Sequence, residues 1–148
     1  MPAQTVLEEL TRDELTREHV QRRVDDWADR IEGLYERVER HLPAGWTAKR
    51  GPTVTMHEEL MKRLGVPRRE LPTLELLRDG TVSARFRPYG LWIIGVNGRL
   101  DLVKGQELFF IHDHAKTFEA PNWHVAPAKA RRDSKPFDDV QLRALLSA

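Results

Sequence analysis

The chain has no cysteine. That excludes a disulfide framework, a thiolate metal site and a cysteine nucleophile together, and it agrees with a cytoplasmic home. Long apolar runs are missing too: none approaches the ~20 residues a membrane-spanning helix needs. The start, Met1-Pro2-Ala3-Gln4, carries neither the basic nor the apolar stretch of a secretory signal, so the protein is expected to stay in the cytoplasm, away from membranes. No glycine-rich phosphate loop is present, because Gly95-Val96-Asn97-Gly98 leads into a turn rather than a helix. Ser83, Ser134 and Ser147 lack the Gly-x-Ser-x-Gly setting of a nucleophile elbow. His57-Glu58-Glu59 opens like a zinc-protease helix, but the second ligand position holds Met61. No motif names a reaction or a cofactor, and the balance leans away from an enzyme.

What is present is an ordinary globular composition, with 40% hydrophobic and 32% charged residues in 148. That length suits a single domain over residues 1–148 with one core. The net charge of +1 conceals an uneven distribution. Residues 1–42 hold 7 cations and 11 acids, whereas residues 43–88 hold 9 cations and 5 acids. An acidic helix lying against a basic segment accounts for this as well as an anionic partner does.

The acidic part reads as a helix over residues 12–42. Thr11 and Glu14 form a capping box, with a possible earlier one at Thr5 and Glu8. Val20, Val24, Trp27, Ile31, Leu34, Val38 and Leu42 follow at spacings of three and four, and Pro43 ends the run. A short second helix is expected at 56–64, capped by Thr55 and closed by Gly65, with Trp46–Val54 extended before it.

Residues 73–114 read as an antiparallel meander. Asp79-Gly80 and Asn97-Gly98 are expected as two-residue hairpin turns and Gly105-Gln106 as a third. Val82, Ala84 and Phe86 alternate with polar neighbours, while Leu91-Trp92-Ile93-Ile94-Gly95-Val96 looks like a central strand apolar on both faces. Trp123-His124-Val125 suggests another strand, and Asp138 with Gln141 opens a C-terminal helix over 139–147. The fold class is therefore α+β: a long helix, a short helix, about five meander strands and a closing helix.

Register supplies the candidate sites. Turns at 97–98 and 105–106 would set Val96, Ile94 and Trp92 opposite Arg99, Asp101 and Val103, and then Val103, Asp101 and Arg99 opposite Leu108, Phe110 and His112. Arg99, Asp101 and His112 then gather on one face with His114 nearby, a set able to bind a divalent metal or small ligand, or merely to pair charges at a sheet edge. Both sheet faces would need apolar covers. Lys129, Arg131, Arg132 and Lys135, with Arg68 and Arg69, form a candidate phosphate-contacting group, though no aromatic platform interleaves them. A helix over 12–42 would run ~46 Å against strands of ~17–20 Å. Val20, Val24, Trp27, Ile31 and Leu34 are therefore expected at a homodimer interface, unless residues 43–72 wrap the helix. The leading expectation is a non-enzymatic regulatory module that binds itself or another protein. A nucleic-acid accessory protein, and a metal- or ligand-binding protein or enzyme, are the alternatives.

Overall fold

The computed structural model describes residues 16–147. Helix α1 (Arg17–Arg40) leads into β1 (Trp46–Arg50), β2 (Val54–Met56), α2 (Glu59–Arg63) and β3 (Arg69–Leu71). Then come β4 (Leu74–Arg78), β5 (Thr81–Gly90), β6 (Arg99–Lys104), β7 (Glu107–Asp113), β8 (Trp123–Pro127), β9 (Lys135–Pro136) and α3 (Asp139–Ser147). The architecture is α+β, with a seven-stranded sheet in the order β1-β4-β5-β6-β7-β8-β9 and a separate β2–β3 pair. Every pairing is antiparallel.

Local signals explain most of the elements. In α1 the Thr16 hydroxyl accepts from the His19 N–H at 3.2 Å, the ordinary N-cap bond that satisfies one orphan donor of the first turn. The capping boxes at Thr5 and Thr11 lie outside the described residues. Asp138 likewise accepts from the Gln141 N–H at 2.8 Å and starts α3, as its sequence indicates. The second helix is shorter than expected: Thr55 pairs within β2, and Glu58 takes the cap position instead. Gly65 does close it in the left-handed conformation, and the Val66 N–H returns to the Met61 carbonyl.

Asp79-Gly80 turns β4 into β5 with positive φ at both residues, the signature of a type I′ turn. A bulge between Leu76 and Leu77 then skips Ser83, so Val82 faces outward rather than sharing the inner side with Ala84 and Phe86.

The largest departure from expectation lies at residues 91–98. Leu91–Val96 is not the central strand. β5 runs on to Gly90 and pairs directly with β6, Arg87 opposite Asp101 and Gly90 opposite Arg99. Residues 91–98 form a connecting loop, closed by one bridge between Ile93 and Val96, and Asn97-Gly98 is not a hairpin turn. The expected β6–β7 register does hold, with Val103 opposite Leu108, Asp101 opposite Phe110 and Arg99 opposite His112.

Among the described residues, apolar packing covers one face of the sheet. Leu74, Leu76, Ala84, Phe86, Leu100, Leu102, Phe109 and Ile111 join Val20, Val24, Trp27, Ile31, Leu34, Tyr35 and Val38 of α1 in one core cluster, to which α3 adds Leu142 and Leu146. Trp27 packs against Trp123 of β8 and Tyr35 against Phe86 of β5, with ring centroids 6.0 and 6.2 Å apart. Helix α1 thus passes over several strands. Its ~36 Å length is comparable to the ~29 Å width of seven strands. Met56, Leu60, Met61, Val66 and Leu71 extend the same core from the β2–α2–β3 segment.

This overturns the interface assignment of Val20, Val24, Trp27, Ile31 and Leu34. All five are at most 2% exposed within the single chain. A stripe already buried intramolecularly has nothing left to offer a second helix.

Candidate functional site

The face of the sheet opposite α1 collects the chemistry. Alternation along antiparallel strands sends Arg85, Arg87 and Tyr89 of β5, Arg99, Asp101 and Val103 of β6, and Leu108, Phe110 and His112 of β7 to the side opposite α1. On β8 the same side carries His124, which pairs with His112 across the ladder.

Arg99 is the hub. Its guanidinium lies 3.5 Å from the Tyr89 ring centroid and 4.0 Å from that of Phe110, and its Nε donates to Asp101 at 3.0 Å. Arg131 approaches the Phe110 ring at 4.9 Å. Phe110 is buried, although the face around it is open. Tyr89, Val103 and Leu108 remain 58%, 41% and 37% exposed.

Three imidazoles flank this cluster. His114 stacks on His124 with centroids 4.1 Å apart, and His112 lies 6.1 Å from His114. Burial, then the cost of a second charge beside a protonated His114, then the guanidinium charges of Arg99 and Arg131 push His112 down to about 4, against a weaker opposing pull from Asp101. Burial and His124 lower His114 as well. Near neutral pH these two rings are therefore uncharged.

The structure brings Arg99, Asp101 and His112 onto one face but does not make them a metal centre. Asp101 is engaged by Arg99. Among the described residues no group of three or more His, Asp or Glu is arranged to hold a metal ion.

The proposed phosphate-contacting residues separate. Lys129, Arg131, Arg132 and Lys135 are exposed around β9, and Arg131 reaches the outer face. Arg69 is instead ion-paired to Asp25 of α1 at 2.7 Å, on the helix side of the sheet, with Arg68 beside it.

Two further features escaped the sequence reading. His124 belongs to the imidazole cluster only because Asp113 pairs with Trp123, a register that the intervening irregular loop conceals. The second is a buried polar network. Asp113, fully buried, accepts from Arg30 Nη1 at 2.7 Å and from the Ala115 and Asn122 N–H groups at 3.0 and 2.9 Å. Arg30 also donates to Asp26 at 2.5 Å and to the Glu119 carbonyl. Arg23 donates to the buried Asn97 at 3.1 Å. The network ties α1 to the loops on either side of β6 and β7. A cavity of about 550 Å³ lies beside it, between α1 and residues 118–123.

Comparison with known proteins finds no matching family, no similar curated protein and no similar solved structure.

Proposed function

We propose that this protein is a non-enzymatic binding module whose open sheet face engages an acidic protein partner. The observation that carries the reading is the exposed trio Tyr89, Val103 and Leu108, set among cations on a face that no helix among the described residues covers. Lys49, Arg85, Arg87, Arg99 and Arg131 lie on that side, against the carboxylates Glu75 and Asp101. Aromatic and apolar centres within a polar rim are the usual anatomy of an interface, and complementary charge steers the encounter. A two-fold contact of this face with itself would set like charges against one another, so the charge pattern favours a different protein over a second copy.

The test compares the wild-type chain with a Val103→Asp, Leu108→Asp double variant as baits in host extract, followed by titration of the purified partner. The expected result is a partner bound by the wild type and lost by a variant of unchanged melting temperature. Identical capture and affinity for both would overturn the reading.

A second reading, single-stranded nucleic acid on the same face, draws on the position of Arg131 over Phe110. It requires steep salt dependence that flattens when Arg131 and Arg132 become alanine. Absence of binding at low ionic strength would retire it.

A further inference from the structure

The cavity of about 550 Å³ beside α1 lies on the helix side of the sheet, away from the open face. Leu34, Phe118, Ala120, Pro121 and Trp123 give it apolar walls, and its volume is in the range of small-molecule sites. The buried polar network fixes those walls. Arg30 donates from the helix to the Glu119 carbonyl, and Asp113 accepts from the Ala115 and Asn122 N–H groups at the two ends of the facing loop. The cavity is therefore formed before anything enters it.

Two residues at its border carry a cost that packing does not explain. Gly33 sits inside α1, where glycine is the poorest helix former after proline. No neighbour demands it, since a Cβ there would meet nothing within 4 Å. What the missing side chain leaves is open space on the helix wall of the cavity. Phe118, on the opposite wall, has φ +66°, a conformation that bulky side chains rarely adopt. Arg22 stacks on its ring at 4.4 Å and His19 meets it edge-on at 5.7 Å, which holds the ring in place despite the strain.

Charge selects what fits. Gly33 shares its flank of α1 with Asp26, Asp29, Arg30 and Arg37, at spacings of three, four and seven residues. Both arginines are already committed, Arg30 to Asp26, Asp113 and the Glu119 carbonyl, and Arg37 to the Phe137 carbonyl and ring. Asp29 is exposed and has no hydrogen bond or ion pair among the described residues. The acids Asp26, Asp29 and Glu119 outnumber the cations on the lining, and Asp113 behind Arg30 tips the balance further.

We propose that this cavity binds a small organic amine, its ammonium group paired with Asp29 and its apolar body resting between Gly33 and Trp123. The absent Cβ of Gly33 lets the ligand lie against the helix backbone, and the indole of Trp123 supplies a flat facing wall. An anion would meet an uncompensated carboxylate, and a neutral molecule would leave it unpaired. The inference stands apart from the partner surface, which lies across the sheet.

Phenethylamine is the probe, with phenethyl alcohol and hydrocinnamate as neutral and anionic controls of nearly the same shape. Titration of the full chain is followed by the Gly33 amide and Trp123 indole resonances in a 1H–15N spectrum. The expected result is a saturable shift of both with the amine. Binding should be about threefold or more weaker for the alcohol and about tenfold or more weaker for the carboxylate. Asp29→Asn, an exposed change, brings the amine down to the affinity of the alcohol. Gly33→Leu fills the cavity from the helix wall and abolishes the Trp123 shift, while a better helix former keeps the melting temperature at or above that of the wild type. Should that variant fail to fold, the Asp29→Asn comparison decides. Unmoved resonances at ~20 mM phenethylamine would overturn the proposal, that concentration exceeding a weak fragment's millimolar Kd. So would equal binding of all three probes, amine binding unchanged by Asp29→Asn, or binding retained by a folded Gly33→Leu protein.

Discussion

Asp113 receives four hydrogen bonds with no solvent exposure, and it joins α1, β7 and the loop after β7. Removing one member of a buried ion pair strands the other charge. Asp113→Ala is therefore expected to destabilise the fold by about 3–5 kcal/mol, read from the midpoint of urea unfolding. A loss below about 1 kcal/mol would mean that water satisfies Arg30 as well as Asp113 does. His112 makes a prediction of opposite origin. Its proton is held off to about pH 4 in the folded chain, against 6.5 for a free imidazole. Between those values the unfolded chain binds more protons, so stability is full above about pH 6.5 and falls as pH drops toward 4. His112→Gln is expected to flatten this slope in part, leaving the contribution of His114. Wild-type and variant denaturation midpoints that run parallel across the window would contradict it. Neither role is legible in the sequence. Arg23 and Arg30 stand among the charges of a helix and read as solvated, and only the sheet register supplies their buried partners.

At the scale of elements, the 91–98 loop shows how an apolar run misleads. Leu91–Val96 has the composition of a buried strand, and Asn97-Gly98 has that of a hairpin turn. Yet β5 reaches Gly90 and takes the place beside β6 that the run was expected to fill. A continuous apolar stretch reports burial, not conformation. Leu91 does enter the core, and Trp92 packs at its margin. Gly98 is required for a reason other than a turn: it has φ +103°, and Trp27 fills the space a side chain would need. Gly98→Ala should cost about 2–5 kcal/mol, combining left-handed backbone strain with overpacking. Gly95 supplies the control, since it shares the positive φ but faces open space. Its change to alanine should cost only about 1 kcal/mol. Equal melting temperatures for the two variants would remove the argument from close approach.

For the whole molecule, the decisive fact is where the α1 stripe goes. Trp27→Glu would place a charge in the centre of the core, and the expected outcome is loss of the folded state by circular dichroism rather than dissociation of a dimer. A folded Trp27→Glu protein would show that the stripe is not the core of this chain. Substitutions on the other sheet face at Val103 and Leu108 should leave unfolding unchanged, because both residues are already partly in water. The two layers thus separate experimentally, one for stability and one for the proposed recognition.

The sequence by itself determined the local matters. The 3.6-residue periodicity marks α1, Asp138 with Gln141 marks α3, Asp79-Gly80 marks the first hairpin, and the Gly105 turn sets the β6–β7 register. With that register came the gathering of Arg99, Asp101 and His112, because each of these rests on interactions only a few residues apart. The tertiary structure decided which face of the sheet α1 covers, which arginines are buried and which third histidine joins the first two. These outcomes depend on residues such as Trp27 and Gly98, or Arg30 and Asp113, that lie some 70 or 80 positions apart. A chain read locally has no term for contacts of that span; the packing of helix on sheet supplies it.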